Sequence, residues 1–346
     1  MNTPIAWLLS GVIILLLQAC DQPVTVDPAV QADDRQVSQH ARQLFMPGLD
    51  TGELNTITIS RHGTDPLLKL ERDGERWALT TLQAVTPLTV PANMSLIKTL
   101  LLSLGNARVL EQKTAEEDWF KYLGVNDIQL TGARGTLLAL ASGDKSWLLI
   151  VGDKSSKQQG QYWREVNGLT HAVMRVDQLL DLPGNVVDWM DREIIDLPDN
   201  GVASISINSV DGQSFNLQRE SHEQDLVLGS ATAASVELPN SVKQLIFGLS
   251  RLNFDAIEAS ATSVQEEPAF TITFGLFDGT SFILSLYPDA EGSWCELTAV
   301  DNGQGERAQL VTEINRNLSR WRYHLSSQRT ALYIQSIEYL SGEGSD

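Results

Sequence analysis

The chain has 346 residues, of which 42% are hydrophobic and 20% are charged. This composition argues against an intrinsically disordered chain, and the length is sufficient for two domains with separate cores. The formal net charge of −19 argues against a general nucleic-acid binder, because neutralising phosphates requires clustered lysine and arginine. We therefore expect no nucleic acid among the partners.

The first predicted element is an uncharged apolar segment that ends in a cysteine. As a helix, residues 4–19 would span about 24 Å, which is less than the roughly 30 Å hydrocarbon core of a bilayer and suits a signal peptide better. The segment ends in a sequence that resembles a bacterial lipobox, with Leu17, Gln18 and Ala19 before Cys20, the thiol that accepts lipid. An uncleaved transmembrane anchor is the alternative, because the basic residues that normally begin a signal peptide are missing.

Both alternatives tether the chain to a membrane. Asp21, directly after the cysteine, resembles the signal that keeps many Gram-negative lipoproteins in the inner membrane. Residues 21–53 show no sustained apolar period and are predicted to be a linker, which when extended could carry the folded part tens of ångströms from the bilayer. We therefore expect a lipid-anchored protein at the periplasmic face of the inner membrane.

The folded region shows the same order of predicted elements twice. Alternating strands around an Asp-Gly turn begin each half, at Leu54–Thr80 and at Val202–Leu228. A helix with one apolar face follows, at Asn93–Val109 and at Asn240–Phe254, and the apolar positions of the two helices match at a constant offset. A fixed offset of this kind indicates an internal duplication.

Each half is predicted to continue with a hairpin and a second, shorter helix, centred on Trp189 in the first half and on Trp321 in the second. The predicted fold class is therefore α+β, with two related repeats that each combine an antiparallel sheet with packed helices. The predicted segments are a signal peptide or anchor at 1–20, a linker at 21–53, the first repeat at 54–199 and a diverged second repeat at 200–346.

Several stretches of the sequence stand in the order found in a known family. They are GERWALTT, PANMSLIKTLLLSL, YLGV, LLIVGD, GQYWREVNG and WMDREIIDL. On these stretches the chain resembles the domain of unknown function 4340 family, roughly from Leu54 to Phe254. The resemblance implies a membrane-tethered extracytoplasmic protein that accompanies ABC-type permease components of the gliding-motility kind. It implies no catalytic residues.

The sequence contains no motif that predicts catalysis. The P-loop, nucleophile-elbow and zincin patterns are missing, and the five histidines are scattered, so we predict no cofactor and no metal site. The acidic segment from Asp188 to Asp199 lacks the spacing of a calcium loop and is predicted to be a solvated face. Cys295 lies between apolar neighbours and is predicted to be a buried, unreactive residue.

Two groupings are candidates for binding surfaces. Arg316, Arg320, Arg322 and Arg329 form a basic cluster in an acidic chain, which suits anionic lipid headgroups or an acidic partner. The alternative is that these arginines solvate a helix whose aromatic residues fill the core. The second grouping consists of aromatic residues in the predicted strands, which either line a sugar or peptide groove or fill the sheet core: Trp77, Trp147, Tyr162, Trp163 and Trp294.

Tethering, duplication and the missing catalytic motif favour a non-enzymatic, lipid-anchored periplasmic accessory or scaffold protein of a membrane transport or envelope assembly. The expected partners are the membrane itself and a membrane protein such as an ABC-type transport complex. The alternative is a periplasmic ligand-binding module that holds a glycan or peptide in the cleft between the repeats. A hydrolase is the third hypothesis. For the leading hypothesis we expect specific contacts on an exposed face of the folded region.

Overall fold

A computed structural model describes residues 43–331, except residues 64–65, 85, 169, 198–199, 229–247, 249–250, 261–266, 304 and 306. The predicted lipid-attachment sequence, with Leu17, Gln18, Ala19, Cys20 and Asp21, lies outside the described residues, as does most of the predicted helix Asn240–Phe254. In the described part of the chain, no helix is both long enough and apolar enough to cross a membrane.

The described residues form mainly antiparallel β-sheet with few helices, as the sequence predicts in outline. Among the described residues, α-helices include α1 (Met94–Asn106) and α2 (Ala308–Leu318), residues 327–331 are also helical, and 3-10 helices lie at Glu117–Tyr122 and Val186–Trp189. The strands are β1 (Thr56–Ser60), β2 (Leu68–Asp73), β3 (Arg76–Thr81), β4 (Thr89–Pro91), β5 (Val109–Thr114), β6 (Thr136–Ser142), β7 (Lys145–Lys154), β8 (Gln161–Glu165), β9 (Val173–Val176), β10 (Glu193–Asp196), β11 (Val202–Ser209), β12 (Ser214–Gln218), β13 (Val227–Leu228), β14 (Arg251–Asn253), β15 (Ala256–Ala259), β16 (Phe270–Leu276), β17 (Thr280–Pro288), β18 (Gly292–Asp301) and β19 (Trp321–Ser326).

The two large sheets follow the same order of strands. The order in the first sheet is β4-β3-β2-β1-β6-β7-β8-β9-β5, and in the second it is β13-β12-β11-β16-β17-β18-β19-β15. In the first sheet, β5 follows β4 in the chain but lies at the far edge, where it pairs with the last strand, β9. In the second sheet, β15 likewise lies at the far edge and pairs with the last strand, β19. The first sheet has the additional edge strand β4, and the residues that follow β13 lie outside the described part of the chain.

The strands form because apolar and polar residues alternate along them, which buries one face of each sheet. In β1, Ile57 and Ile59 are fully buried and the threonines beside them are not. Ile57 lies opposite Leu70 of β2 on one side and Leu140 of β6 on the other. The buried faces of both large sheets belong to one continuous hydrophobic core.

Helix α1 forms where the sequence predicts it. Asn93 caps its first turn, because the side-chain Oδ1 accepts a hydrogen bond of 3.2 Å from the amide of Leu96. The apolar face buries Ile97, Leu100 and Leu104. The predicted helix ran to Val109, but α1 ends at Asn106 and Val109 begins strand β5.

The prediction of a short helix centred on Trp321 is wrong. Trp321 is the first residue of strand β19, and helix α2 lies before it, between β18 and β19. The stretch from Trp321 to Ser326 alternates with period two, so Tyr323 and Leu325 are buried while Arg322 lies on the other face. Trp189, its predicted counterpart, does lie in a helical turn, the 3-10 helix Val186–Trp189.

The chain segment that connects β9 of the first sheet to β11 of the second sheet packs into the core. The indole of Trp189 is fully buried, and its Nε1 donates to the backbone oxygen of Pro183 at 3.1 Å. The amide of Asn93 donates to the backbone oxygen of Trp189 at 2.8 Å. Further along the segment, β10 pairs with β14 of the second half. The segment therefore fastens the start of α1 to a strand of the other half.

Residues 43–53, which the sequence predicts to be part of the linker, lie against the first sheet. Met46 is buried, and the ring of Phe45 meets Trp163 edge to face with centroids 5.6 Å apart. The amide of Phe45 donates to the backbone oxygen of Ala107 at 2.8 Å. This stretch therefore covers the sheet beside the end of α1.

Candidate functional site

The structure places the four arginines of the predicted basic cluster in different environments. Arg316 lies in the last turn of α2, and Arg320 lies just before β19; both are exposed. The side chain of Arg322 is only 14% exposed, and Arg329 donates a hydrogen bond to the backbone oxygen of Asn253. Arg316 and Arg320 are thus the exposed members, and a contact role for all four stays a prediction.

Arg322 is enclosed on the outer face of the second sheet. Its guanidinium lies over the rings of Tyr287 and Trp294, 5.3 and 5.6 Å from their centroids. It also forms ion pairs with Glu258 at 3.4 Å and Glu296 at 3.5 Å. These partners hold the guanidinium in place and stabilise the sheet face.

The aromatic residues singled out in the sequence do not line one groove. Trp77 and Trp163 are buried and fill the core of the first sheet, instead of lining a ligand groove. Trp147 and Tyr162 are half-buried on the first sheet, whereas Trp294 belongs to the second.

The acidic segment from Asp188 to Asp199 pairs mainly with arginine. Asp188 forms an ion pair of 3.7 Å with Arg192, and Asp196 forms one of 3.3 Å with Arg251. Burial, and then the neighbouring carboxylates, raise the pKa of Glu193. No three acidic, histidine or cysteine side chains converge as metal ligands do within the described residues, and Asp199 is not among those residues.

A cleft of about 380 Å³ lies between the edge of the first sheet and the second half. Pro91 of β4 and Arg76 of β3 line one wall, and Arg320 and Trp321 line the opposite wall. The guanidinium of Arg320 lies over the indole of Trp321 at 5.4 Å. The carboxylate of Glu193 also lines the cleft, so both signs of charge are present beside an aromatic ring.

A second surface lies on the 3-10 helix Glu117–Tyr122, a segment without a predicted site. Among the described residues, Trp119 and Tyr122 are the aromatic residues with more than half of their surface exposed, at 55% and 64%. Their ring centroids are 5.7 Å apart, and the ammonium of Lys121 lies 5.1 Å from the Tyr122 ring. We call Trp119 and Tyr122 the exposed aromatic pair.

The exposed aromatic pair is held on a fixed base. Phe120, between the two, is buried in a small apolar cluster with Val125 and Ile150. The guanidinium of Arg164 lies 4.7 Å from the Phe120 ring, and its Nε donates to the backbone oxygen of Val125 at 2.8 Å. Arg164 also forms an ion pair with Asp127. Burying Phe120 therefore turns its aromatic neighbours outward.

Close backbone packing fixes the same segment against β7. The amide of Asp153 donates to the backbone oxygen of Leu123 at 3.0 Å. A Cβ at Gly152 would lie 2.5 Å from that oxygen and 2.5 Å from Cγ1 of Val125. A residue without a side chain is therefore required at this position.

We expect Gly152→Ala to lower the free energy of unfolding by about 1–3 kcal/mol, because the new methyl group would overpack this contact. Chemical denaturation of the two proteins measures the difference. Gly48→Ala is the matched control, because a Cβ at Gly48 meets nothing within 4 Å. Equal stability of the two variants would contradict the prediction.

The exposed aromatic pair could not be identified from hydropathy, since Trp119, Phe120 and Tyr122 stand in one short stretch and only Phe120 is buried. A usable signal was the placement of two large aromatics among charged residues in the sequence EEDWFKY, where a strand pattern is absent.

Comparison with known proteins identifies a family. A family model described as a domain of unknown function (DUF4340) matches residues 77–272. Searches of curated proteins and of solved structures each found no match. The matched range begins in β3 and ends in β16, so it includes α1, the exposed aromatic pair and the segment between the sheets. Because the match covers more than half of the sequence, the chain belongs to the DUF4340 family.

Proposed function

We propose that this chain is a non-enzymatic accessory protein, lipid-anchored at the periplasmic face of the inner membrane. In this proposal it binds a component of a membrane transport or envelope assembly through the exposed aromatic pair. The observation that carries the proposal is the exposure of Trp119 and Tyr122 on a rigidly held segment. Exposed aromatic side chains on a fixed base are typical of binding hot spots, because they add large contact area at a low entropic cost.

The predicted tether supports the same function. A linker between the anchor and the folded part holds that part at a high local concentration near neighbouring membrane proteins, so weak contacts become occupied. The partner we propose is therefore a membrane protein, such as an ABC-type transport complex.

We further propose that the two halves are related repeats, which together form an extended scaffold. The common strand order of the two large sheets supports this. So do two hydrogen bonds at corresponding places: the amide of Val109 donates to the backbone oxygen of Gln43, and the amide of Phe254 donates to that of Arg192. In both halves, a residue of the segment before the sheet thereby pairs with a residue at, or just before, the start of the strand at the far edge.

The test is co-purification of partners with the full chain from detergent-solubilised membranes. Replacing both members of the exposed aromatic pair by alanine is expected to reduce partner recovery by about tenfold, the effect of losing one hot spot. The thermal unfolding midpoint should not change, because both side chains are largely exposed.

The matched control is Leu102→Ala with Leu310→Ala, which removes two exposed apolar side chains from α1 and α2. We expect the control to keep its partners. Equal recovery from the aromatic variant and the wild type would contradict the proposed surface, and equal losses in both variants would indicate non-specific adhesion.

A glycan- or peptide-binding role for the cleft between the sheets is the second candidate. Trp321, half-buried beneath the guanidinium of Arg320, favours it, because ligand pockets combine aromatic faces with a few polar groups. A change in tryptophan fluorescence on adding glycan or peptide fragments, lost in Trp321→Phe, would favour this candidate over the first.

A further inference from the structure

A pocket of about 590 Å³ opens between the 3-10 helix that carries Tyr122 and the loop that joins β7 to β8. We call it the lysine pocket. Its lining combines three lysines with two serines and a tyrosine: Lys113, Lys154, Lys157, Ser155, Ser156 and Tyr122.

The carboxylates near this pocket are already engaged by cations. Asp153, the acidic residue of the lining, forms an ion pair of 2.5 Å with Arg134. Glu111 pairs with Lys113 at 2.7 Å and with Arg175 at 3.0 Å. Burial raises the pKa of Glu111, but the hydrogen bonds from Lys113 and Arg175 outweigh it and lower the pKa. Neither carboxylate therefore requires a further cation.

The remaining lysines leave the pocket locally positive. Lys154 lies 3.4 Å from Asp181, whose side chain is 93% exposed, so this ion pair is weak. Lys157 is exposed, and the acidic residues Glu117 and Asp118 of the 3-10 helix do not line the pocket. The ion pairs around the pocket contain four cations and three carboxylates, and Lys157 adds a fifth cation, although the whole chain carries a net charge of −19.

The loop that follows Lys154 and carries Lys157 is folded onto itself. The amide of Ser155 donates to the backbone oxygen of Gly160 at 2.9 Å, and the amide of Gln158 donates to Oγ of Ser155 at 3.3 Å. The hydroxyl of Tyr162 lies 3.3 Å from the same Oγ. Gly160 has φ +114 and lies against Val176, where a Cβ would be 2.2 Å from the backbone oxygen. The shape of the loop is therefore set by its own hydrogen bonds and by this close approach.

We propose that the lysine pocket binds the phosphate group of a hydroxyl-bearing ligand, either a phospholipid headgroup or a sugar phosphate. Ammonium groups are compact point charges that suit phosphate oxygens, and serine hydroxyls hydrogen-bond to the same oxygens. The ring of Tyr122 at the rim offers an apolar face to the glycerol or sugar carbons. This site goes beyond the proposed function and does not depend on it, although Tyr122 belongs to both surfaces.

The test is calorimetric titration of the full chain in neutral detergent at low salt. The probes are inorganic phosphate, short-chain phosphatidylglycerol and glucose 6-phosphate. We expect binding of at least one organic phosphate more tightly than inorganic phosphate. Tighter binding of phosphatidylglycerol would identify a lipid headgroup as the ligand class, and tighter binding of glucose 6-phosphate would identify a sugar phosphate.

Lys154→Glu with Lys157→Glu is expected to weaken binding by about tenfold or more, because two attractive charges become repulsive. Lys98→Glu with Lys145→Glu changes the net charge equally at exposed lysines outside the pocket and should change affinity by less than about twofold. Lys157→Ala, a truncation of an exposed side chain, is the second variant if the double variant unfolds. The proposal is overturned if no probe binds, or if the pocket and control variants lose affinity equally.

Discussion

Trp189→Ala is expected to lower the free energy of unfolding by about 3–5 kcal/mol, the range for truncating a fully buried tryptophan. The indole has no exposed surface, and its Nε1 donates to the backbone oxygen of Pro183. The effect should extend beyond the cavity, because the backbone around Trp189 forms two hydrogen bonds to the residues before α1. The amide of Asn93 donates to the backbone oxygen of Trp189, and the amide of Asp191 donates to the backbone oxygen of Pro91 at 2.9 Å. Loss of the indole would therefore loosen the segment that fastens α1 to the second half.

Chemical denaturation with two comparison variants measures this effect. Trp189→Phe keeps a ring and loses the N–H donor, so a smaller loss of about 1–3 kcal/mol is expected. Trp119→Ala makes the same truncation at an exposed tryptophan and should change stability by less than about 1 kcal/mol. Similar losses at Trp189 and Trp119 would show that burial in this segment contributes little.

Local signals predicted the elements whose pattern was complete within a short stretch. Helix α1 combines a capping asparagine at Asn93 with apolar residues at helical spacing, and both signals act within a few turns. The sequence predicts a helix at Trp321, Tyr323 and Leu325, where the structure has strand β19. The stretch is short, and only its pairing with β15 and β18 selects the extended form.

The candidate sites depend on distant residues, which a single sequence does not place together. Lys113 follows α1 on β5, whereas Lys154 and Lys157 lie at the β7–β8 loop. They meet because β5 crosses to the far edge of the sheet and pairs with β9, beside β8. Likewise, the exposure of Trp119 follows from the burial of Phe120 against Ile150, a contact between elements far apart in the chain.

Cys20→Ala is expected to abolish lipid attachment and to block cleavage of the signal peptide, because the cysteine thiol is the acceptor in the predicted lipobox. Mass spectrometry of the wild-type chain should find a mature N-terminus at a lipid-modified Cys20. The variant should retain residues 1–19. A wild-type chain that begins at an unmodified Met1 would contradict lipidation and support the uncleaved anchor instead.

Cys295→Ala is the matched control for the loss of a thiol. Cys295 is fully buried in β18, and burial strongly raises the pKa of its thiol, so it is a poor nucleophile. We expect this variant to keep its lipid and its mature N-terminus. Loss of the lipid from both variants would indicate that misfolding, rather than removal of the acceptor, explains the result at Cys20.

Removing the anchor is expected to reduce partner recovery while leaving the fold intact. A periplasmic form of the chain without the anchor is no longer held at a high local concentration near its membrane partner. The weak contacts through the exposed aromatic pair would therefore be largely unoccupied. Partner recovery should fall to about the level of the Trp119 and Tyr122 double variant, with an unchanged unfolding midpoint. An enzyme acting on a diffusible substrate would lose little on release. Full function of the released form would therefore count against a tethered accessory protein and favour the ligand-binding or enzymatic alternatives.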